Sequence, residues 1–135
     1  MGAMRSAVIL AVLPCVLPAC SSSSPGPSPS EIIGEWRAEA DAGSGTPCAA
    51  LTSCSLISFY SNGTGANEEL QGGHRTCIST WTWSFDGHTL STTTPDGGGL
   101  VSHVTFAGDV MTLTGSNHPT VSYVRVSSSG DPNAC

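Results

Sequence analysis

The chain is expected to fold as a small all-β domain, an antiparallel up-and-down β-barrel of about eight strands, with a two-sheet β-sandwich as the alternative. Two features of the sequence lead there. From residue 32 onward, apolar and polar residues alternate with a period of two, the pattern of a strand buried on one face. The alternation also restarts after each turn signal, among them Asn62-Gly63, Asp86-Gly87 and Gly108-Asp109, and no segment beyond the N-terminal region carries a helical period.

The N-terminus is read separately. Arg5 precedes an uncharged apolar run over residues 6–16, which is shorter than the roughly 20 residues a membrane-spanning helix needs and fits an export signal. Leu17-Pro18-Ala19-Cys20 follows and resembles the lipobox of bacterial lipoproteins. That resemblance implies a signal peptide over residues 1–19, a lipid on Cys20 and a place in the bacterial cell envelope. The alternative, a secreted protein cut by the general signal peptidase, lacks an A-x-A site close to the apolar run. Residues 20–30 hold the lipid cysteine and SSSSPGPSPS, a segment with no apolar side chain to bury and therefore a solvated tether. Ser21 is not the Asp that resembles an inner-membrane retention signal, so an outer membrane is the favoured destination where the cell has one.

The strands follow in order. In residues 32–40, Ile32, Gly34, Trp36, Ala38 and Ala40 alternate with the charged Glu35, Arg37 and Glu39. Residues 55–61 form the second strand, and Asn62-Gly63 predicts a type I′ turn into a weak third strand over 64–70. Residues 77–85 (CISTWTWSF) are the strongest strand, with Cys77, Trp81, Trp83 and Phe85 expected on one face and Ile78, Thr80, Thr82 and Ser84 on the other. Asp86-Gly87 turns into the Thr-rich residues 89–94, and Pro95-Asp96-Gly97 closes that strand. In residues 100–106, Leu100, Val104 and Phe106 are expected inward, and Val101, His103 and Thr105 outward. Residues 110–114 and 120–126 complete a meander that closes most economically into a barrel.

Residues 31–135, about 105 residues, suffice for one domain with one core. All ten acidic residues lie beyond the expected cleavage point, against Arg37, Arg75 and Arg125, and the chain has no lysine. Such a domain repels nucleic acid and anionic lipid, so the lipid and not charge would hold it to a membrane. Missing lysine also excludes Schiff-base chemistry and the P-loop. With Cys15 in the signal and Cys20 lipidated, Cys48, Cys54, Cys77 and Cys135 remain. In an oxidising compartment they predict two disulfides with three possible pairings, and their scattered spacing argues against zinc. A bond from Cys135 would pin a Ser/Gly/Pro-rich tail.

Gly34-x-Trp36, the hairpin Ile57-Ser58-Phe59-Tyr60-Ser61-Asn62-Gly63-Thr64, Trp81-Thr82-Trp83 leading to Asp86-Gly87, and Tyr123-Val124-Arg125 stand in this order along the mature domain. With these motifs it resembles the lipocalin-like domains of small bacterial lipoproteins. The resemblance implies that Trp36 packs under Arg125 at the closed end of the barrel. It also implies an interior for a small apolar ligand, with Phe59, Tyr60, Trp81, Trp83, Phe106 and Met111 as candidate linings. The competing reading is that these side chains simply fill the core, since an eight-stranded interior is just wide enough for either.

Other chemistry has less support. His74, His88 and His118 sit beside turns and His103 on an outward face, which reads as solvated histidine rather than a metal site. Neither G-x-S-x-G nor S-x-x-K occurs, so no catalytic residue and no cofactor is assigned. Glu68 and Glu69 point to opposite faces of a strand and cannot pair as acid and base; a solvated edge is expected. Asn62-Gly63-Thr64 fits the glycosylation sequon but reads as a turn. Two functions are carried forward: a tethered carrier or sensor of a small apolar ligand, and an envelope interaction or inhibitor-type module that offers acidic loops to a protein partner.

Overall fold

The structure, a computed structural model, describes residues 26–40, 51–128 and 135. After a short 3-10 turn at Pro29–Glu31, eight strands follow: β1 Gly34–Ala38, β2 Ser53–Phe59, β3 Thr64–Gln71, β4 His74–Phe85, β5 Thr89–Thr93, β6 Gly99–Ala107, β7 Val110–Thr114 and β8 Val121–Ser127. Each pairs antiparallel with the next, and β8 pairs back onto β1, so the sheet is a closed up-and-down barrel and not a sandwich.

The turns differ from the expected chemistry. No described non-glycine residue has a positive φ, so neither Asn62-Gly63 nor Asp86-Gly87 forms the type I′ turn, which needs φ > 0 at both central residues. At 60–63 the Gly63 amide donates to the Tyr60 carbonyl, the Tyr60 amide to the Thr64 carbonyl, and Gly63 takes φ 82°. This longer loop is stapled by Asn62 Oδ1, which accepts from the Thr64 amide at 3.0 Å. The two-residue turn falls instead at Gly72-Gly73, where φ is 55° and 83° and Gln71 pairs with His74. It extends β4 three residues upstream of the predicted start.

A β-bulge corrects the assignment of Cys77. Asn67 pairs with Ser79 but Glu68 pairs with Cys77, which leaves Ile78 as an extra residue on β4. One extra residue inverts the alternation. Trp81, Trp83 and Phe85 therefore face inward, whereas Cys77 sits on the outer face opposite Glu68.

The buried cluster Ile32, Trp36, Ile57, Phe59, Phe85, Leu90, Val104 and Met111 fills the closed half of the barrel. Ile32 belongs to no strand; it follows the 3-10 turn and plugs this end with 0 % exposure. The segment expected as free tether through Ser30 is already in place from Gly26. A Cβ on Gly26 would stand 3.0 Å from His88 Nε2, and one on Gly87 3.0 Å from the Pro27 carbonyl oxygen. The outer face of β1 to β3 is covered too: Glu35, Leu56, Ser58, Ala66 and Glu68 alternate with inward residues and are nevertheless buried. No helix among the described residues is long and apolar enough to cross a membrane.

Candidate functional site

The closed end is built around Trp36. Its indole Nε1 donates to the Ile32 carbonyl at 2.9 Å, and the Arg125 guanidinium lies 4.1 Å above the ring centroid. That guanidinium donates to the carbonyls of Ile33 at 3.0 Å and Glu31 at 2.5 Å, so one side chain of the last strand ties down the segment that enters the first. Gly34, with φ 132°, makes the approach possible: a Cβ there would collide with the Ser127 carbonyl and come within 3.1 Å of Arg125 Nη1.

Above this floor the barrel holds a cavity of about 400 Å3 that receives residues from all strands between β2 and β8. Its lower wall is aromatic. Phe59 and Trp81 meet edge to face, with centroids 4.9 Å apart and planes at 70°. Trp81 packs against Gly65, where any Cβ would strike its ring. Leu90, Leu100, Leu113 and Tyr123 continue the apolar wall, and Ser55, Asn67, Ser79, Thr92 and Ser102 line the remainder. Leu100, although inward, is 50 % exposed, which places it at the mouth. That mouth lies among the β3–β4, β5–β6 and β7–β8 connections.

Of the six residues considered for the lining, Phe59 and Trp81 lie on the cavity. Trp83 and Phe106 pack half-buried against the core cluster, and Met111 belongs to that cluster at 0 % exposure. Trp83 Nε1 also donates to the Thr64 carbonyl at 2.8 Å. Tyr60 does not line the cavity. It is buried next to the outer set and interacts with Arg75, because it follows the inward Phe59 by one residue. The polar wall was missed from sequence, although parity with Trp81 points to Ser79 and parity with Val104 to Ser102.

His118, expected as a solvated loop histidine, is half-buried and bonded to Ser102, a residue that lines the lumen. Its Nδ1 lies 2.8 Å from the Pro119 carbonyl oxygen and its Nε2 2.8 Å from Ser102 Oγ. A carbonyl only accepts, so Nδ1 carries a proton and donates to it, and in the neutral ring Nε2 accepts from the serine hydroxyl. Gly115 leaves the space for the ring, since a Cβ there would strike it. On the opposite end of the barrel, His88 and His103 stack at 6.4 Å with planes 10° apart. No group of three metal-ligating side chains stands together among the described residues.

The outer face of β3 and β4 carries a second polar arrangement. Arg75 donates to both carboxylate oxygens of Glu35, at 2.5 and 3.1 Å, and lies 3.7 Å from Glu68 Oε2. The Glu68 side chain is only 1 % exposed, a correction to the solvated edge expected from sequence. Glu69, on the inward face of β3, is bonded to the Ser53 hydroxyl. Cys77 and Cys135 form a disulfide with Cα atoms 5.5 Å apart, and Cys135 Sγ stands 3.5 Å from Glu68 Oε1. Cys54 is disulfide-bonded as well. Cys20 and Cys48 lie outside the described residues.

Burial pushes the Glu68 carboxyl above its ordinary value of 4.5; Arg75 opposes the shift and Glu35 adds to it. A carboxyl with a raised folded pKa binds more protons in the native state. Its favourable contribution is therefore complete below pH 4.5 and is lost as pH rises through the folded value. Glu68→Gln is accordingly expected to raise the melting temperature at pH 7 by about 4 °C or more. The gain should vanish at pH 4 in thermal melts followed by circular dichroism, and a fall at pH 7 would contradict this reading.

No family model, curated protein or solved structure matches the chain.

Proposed function

We propose that this chain is a lipid-anchored bacterial envelope protein, a lipocalin-like carrier or sensor that holds a small apolar molecule inside its barrel. One observation carries the reading: a cavity of about 400 Å3 with an aromatic floor wall opens at one end of a barrel whose other end is closed. That volume falls within the range of small-molecule sites, which are mostly apolar clefts with a few placed polar groups. Lipid on Cys20 and the tether to residue 25 would hold the lumen near a membrane, in the outer membrane where one exists.

The alternative, acidic loops offered to a protein partner, draws less support from the geometry. Asp86 accepts from the backbone amides of His88 and Thr89, and Asp96 from the Thr94 hydroxyl and the Gly98 amide. Both carboxyls are held below their ordinary range by these bonds. They are also at opposite ends of the barrel, so they present no common acidic face.

The test is titration with N-phenyl-1-naphthylamine, an uncharged dye that fluoresces on leaving water. Saturable enhancement at one site per chain is expected, and Leu113→Trp, which fills the lumen from β7, should reduce the affinity at least about tenfold by removing the space the dye needs. No saturation, or an affinity indifferent to Leu113→Trp, would contradict the proposal.

A further inference from the structure

We propose that the lumen selects an uncharged ring-bearing molecule with a hydrogen-bonding group, such as an aromatic alcohol or amide, and that Asn67 and Ser79 read that group. The inference rests on the carrier reading above and adds the chemical class of the ligand. Its first support is charge. Among the described residues the cavity is lined by no Asp, Glu, Lys or Arg, so an ionised ligand would leave water with no opposite charge there to receive it. Glu69 lies on the same face of β3 as Asn67, nearer the mouth, and its carboxylate is already engaged by Ser53.

The second support is unspent hydrogen-bonding capacity. Asn67 and Ser79 are direct cross-strand partners on β3 and β4, both facing the lumen. Ser55 Oγ donates to Asn67 Oδ1 at 3.3 Å, which leaves the carboxamide NH2 as a donor. Among the described residues neither that NH2 nor the Ser79 hydroxyl has a protein partner, although Ser102, on the other side of the lumen, has His118. A wholly apolar ligand pressed against this rung would strip its water and return nothing, a costlier outcome than leaving the rung open. A ligand hydroxyl or amide satisfies both groups at once.

The third support is the aromatic wall. The rung Ile57–Asn67–Ser79 sits directly beside the rung Phe59–Gly65–Trp81. A ring laid against the Trp81–Phe59 pair therefore carries its polar substituent to Asn67 and Ser79. Gly65 leaves the space that the Trp81 ring occupies there.

The experiment uses four probes of one shape, naphthalene, 2-naphthol, 2-naphthoate and 2-naphthylmethylammonium, titrated calorimetrically at pH 7 into the full chain held in lipid nanodiscs, with empty nanodiscs subtracted. 2-Naphthol, a phenol that stays neutral at this pH, is expected to bind at least about tenfold more tightly than naphthalene or either ion, a factor of ten being the loss of one good hydrogen bond. Asn67→Leu should erase the advantage of 2-naphthol over naphthalene while naphthalene binding persists. Equal binding of naphthalene and 2-naphthol, an ion that binds as well, or an advantage that survives Asn67→Leu would each overturn the inference while leaving the carrier reading intact. Binding of none of the four would overturn the carrier reading itself.

Discussion

Trp36→Ala is expected to lower the melting temperature by about 15 °C or more. Truncation of a buried tryptophan costs roughly 3 to 5 kcal/mol through lost transfer and the cavity left behind, and in a domain of this size each kcal/mol moves the midpoint by about 4 °C or more. Trp36 has 0 % exposure and more than packing to lose. Its indole holds the Ile32 carbonyl, and its face seats the Arg125 guanidinium that binds Glu31 and Ile33. The substitution thus unfastens the N-terminal plug from β8 as well as hollowing the core. Trp36→Phe, which keeps a ring but no Nε1 donor, should fall between the two. A melting curve unchanged by Trp36→Ala would contradict the floor described here.

The disulfide between Cys77 and Cys135 is the second large term. It spans 58 residues, and in the chain-entropy account a loop of that length stabilises by about 4 kcal/mol, with measured values commonly between about 2 and 4. Cys135→Ala is therefore expected to lower the free energy of unfolding in urea by an amount in that range. It should also remove the gain from Glu68→Gln, since the sulfur standing 3.5 Å from that carboxylate is part of its cover. Two independent effects that simply add would contradict the coupling.

Much of the architecture was legible because period-two alternation is a direct record of which face meets a core. Eight strands in meander order follow from it, and the inward Leu100, Val104 and Phe106 of β6 stand where parity places them. The departures have local causes. Cys77 was put on the wrong face because a bulge at Ile78 has no signature in an alternation that looks continuous through Ser79 and Trp81. Type I′ turns were expected where an Asx residue precedes glycine, yet Asn62 and Asp86 use their side-chain oxygens to bond amides two or three residues on, which competes with that backbone geometry.

The candidate site was half legible. Large aromatic residues advertise an interior, and Phe59 and Trp81 do line the lumen. Their sequence neighbours Tyr60 and Trp83 separate from them by register and depth, which composition does not encode. Asn67, Ser79 and Ser102 went unseen because a small polar residue at an inward position carries no hydrophobic signal. The burial of Glu68 was equally hidden, since a charged residue on the outer face of a strand reads as solvated until the Cys135 bond is known.

The proposed carrier role requires the lumen to be a binding site and not a gap in packing. Native mass spectrometry of the protein exported to an oxidising periplasm tests it most directly, with the same sample then denatured and weighed again. A reproducible added mass is expected, one per chain and at most roughly a few hundred daltons for a cavity of about 400 Å3, that disappears on denaturation and is absent from Leu113→Trp. A bare mass for the native protein that no lipid or cell extract increases would contradict it, and would turn attention to a protein partner in the envelope.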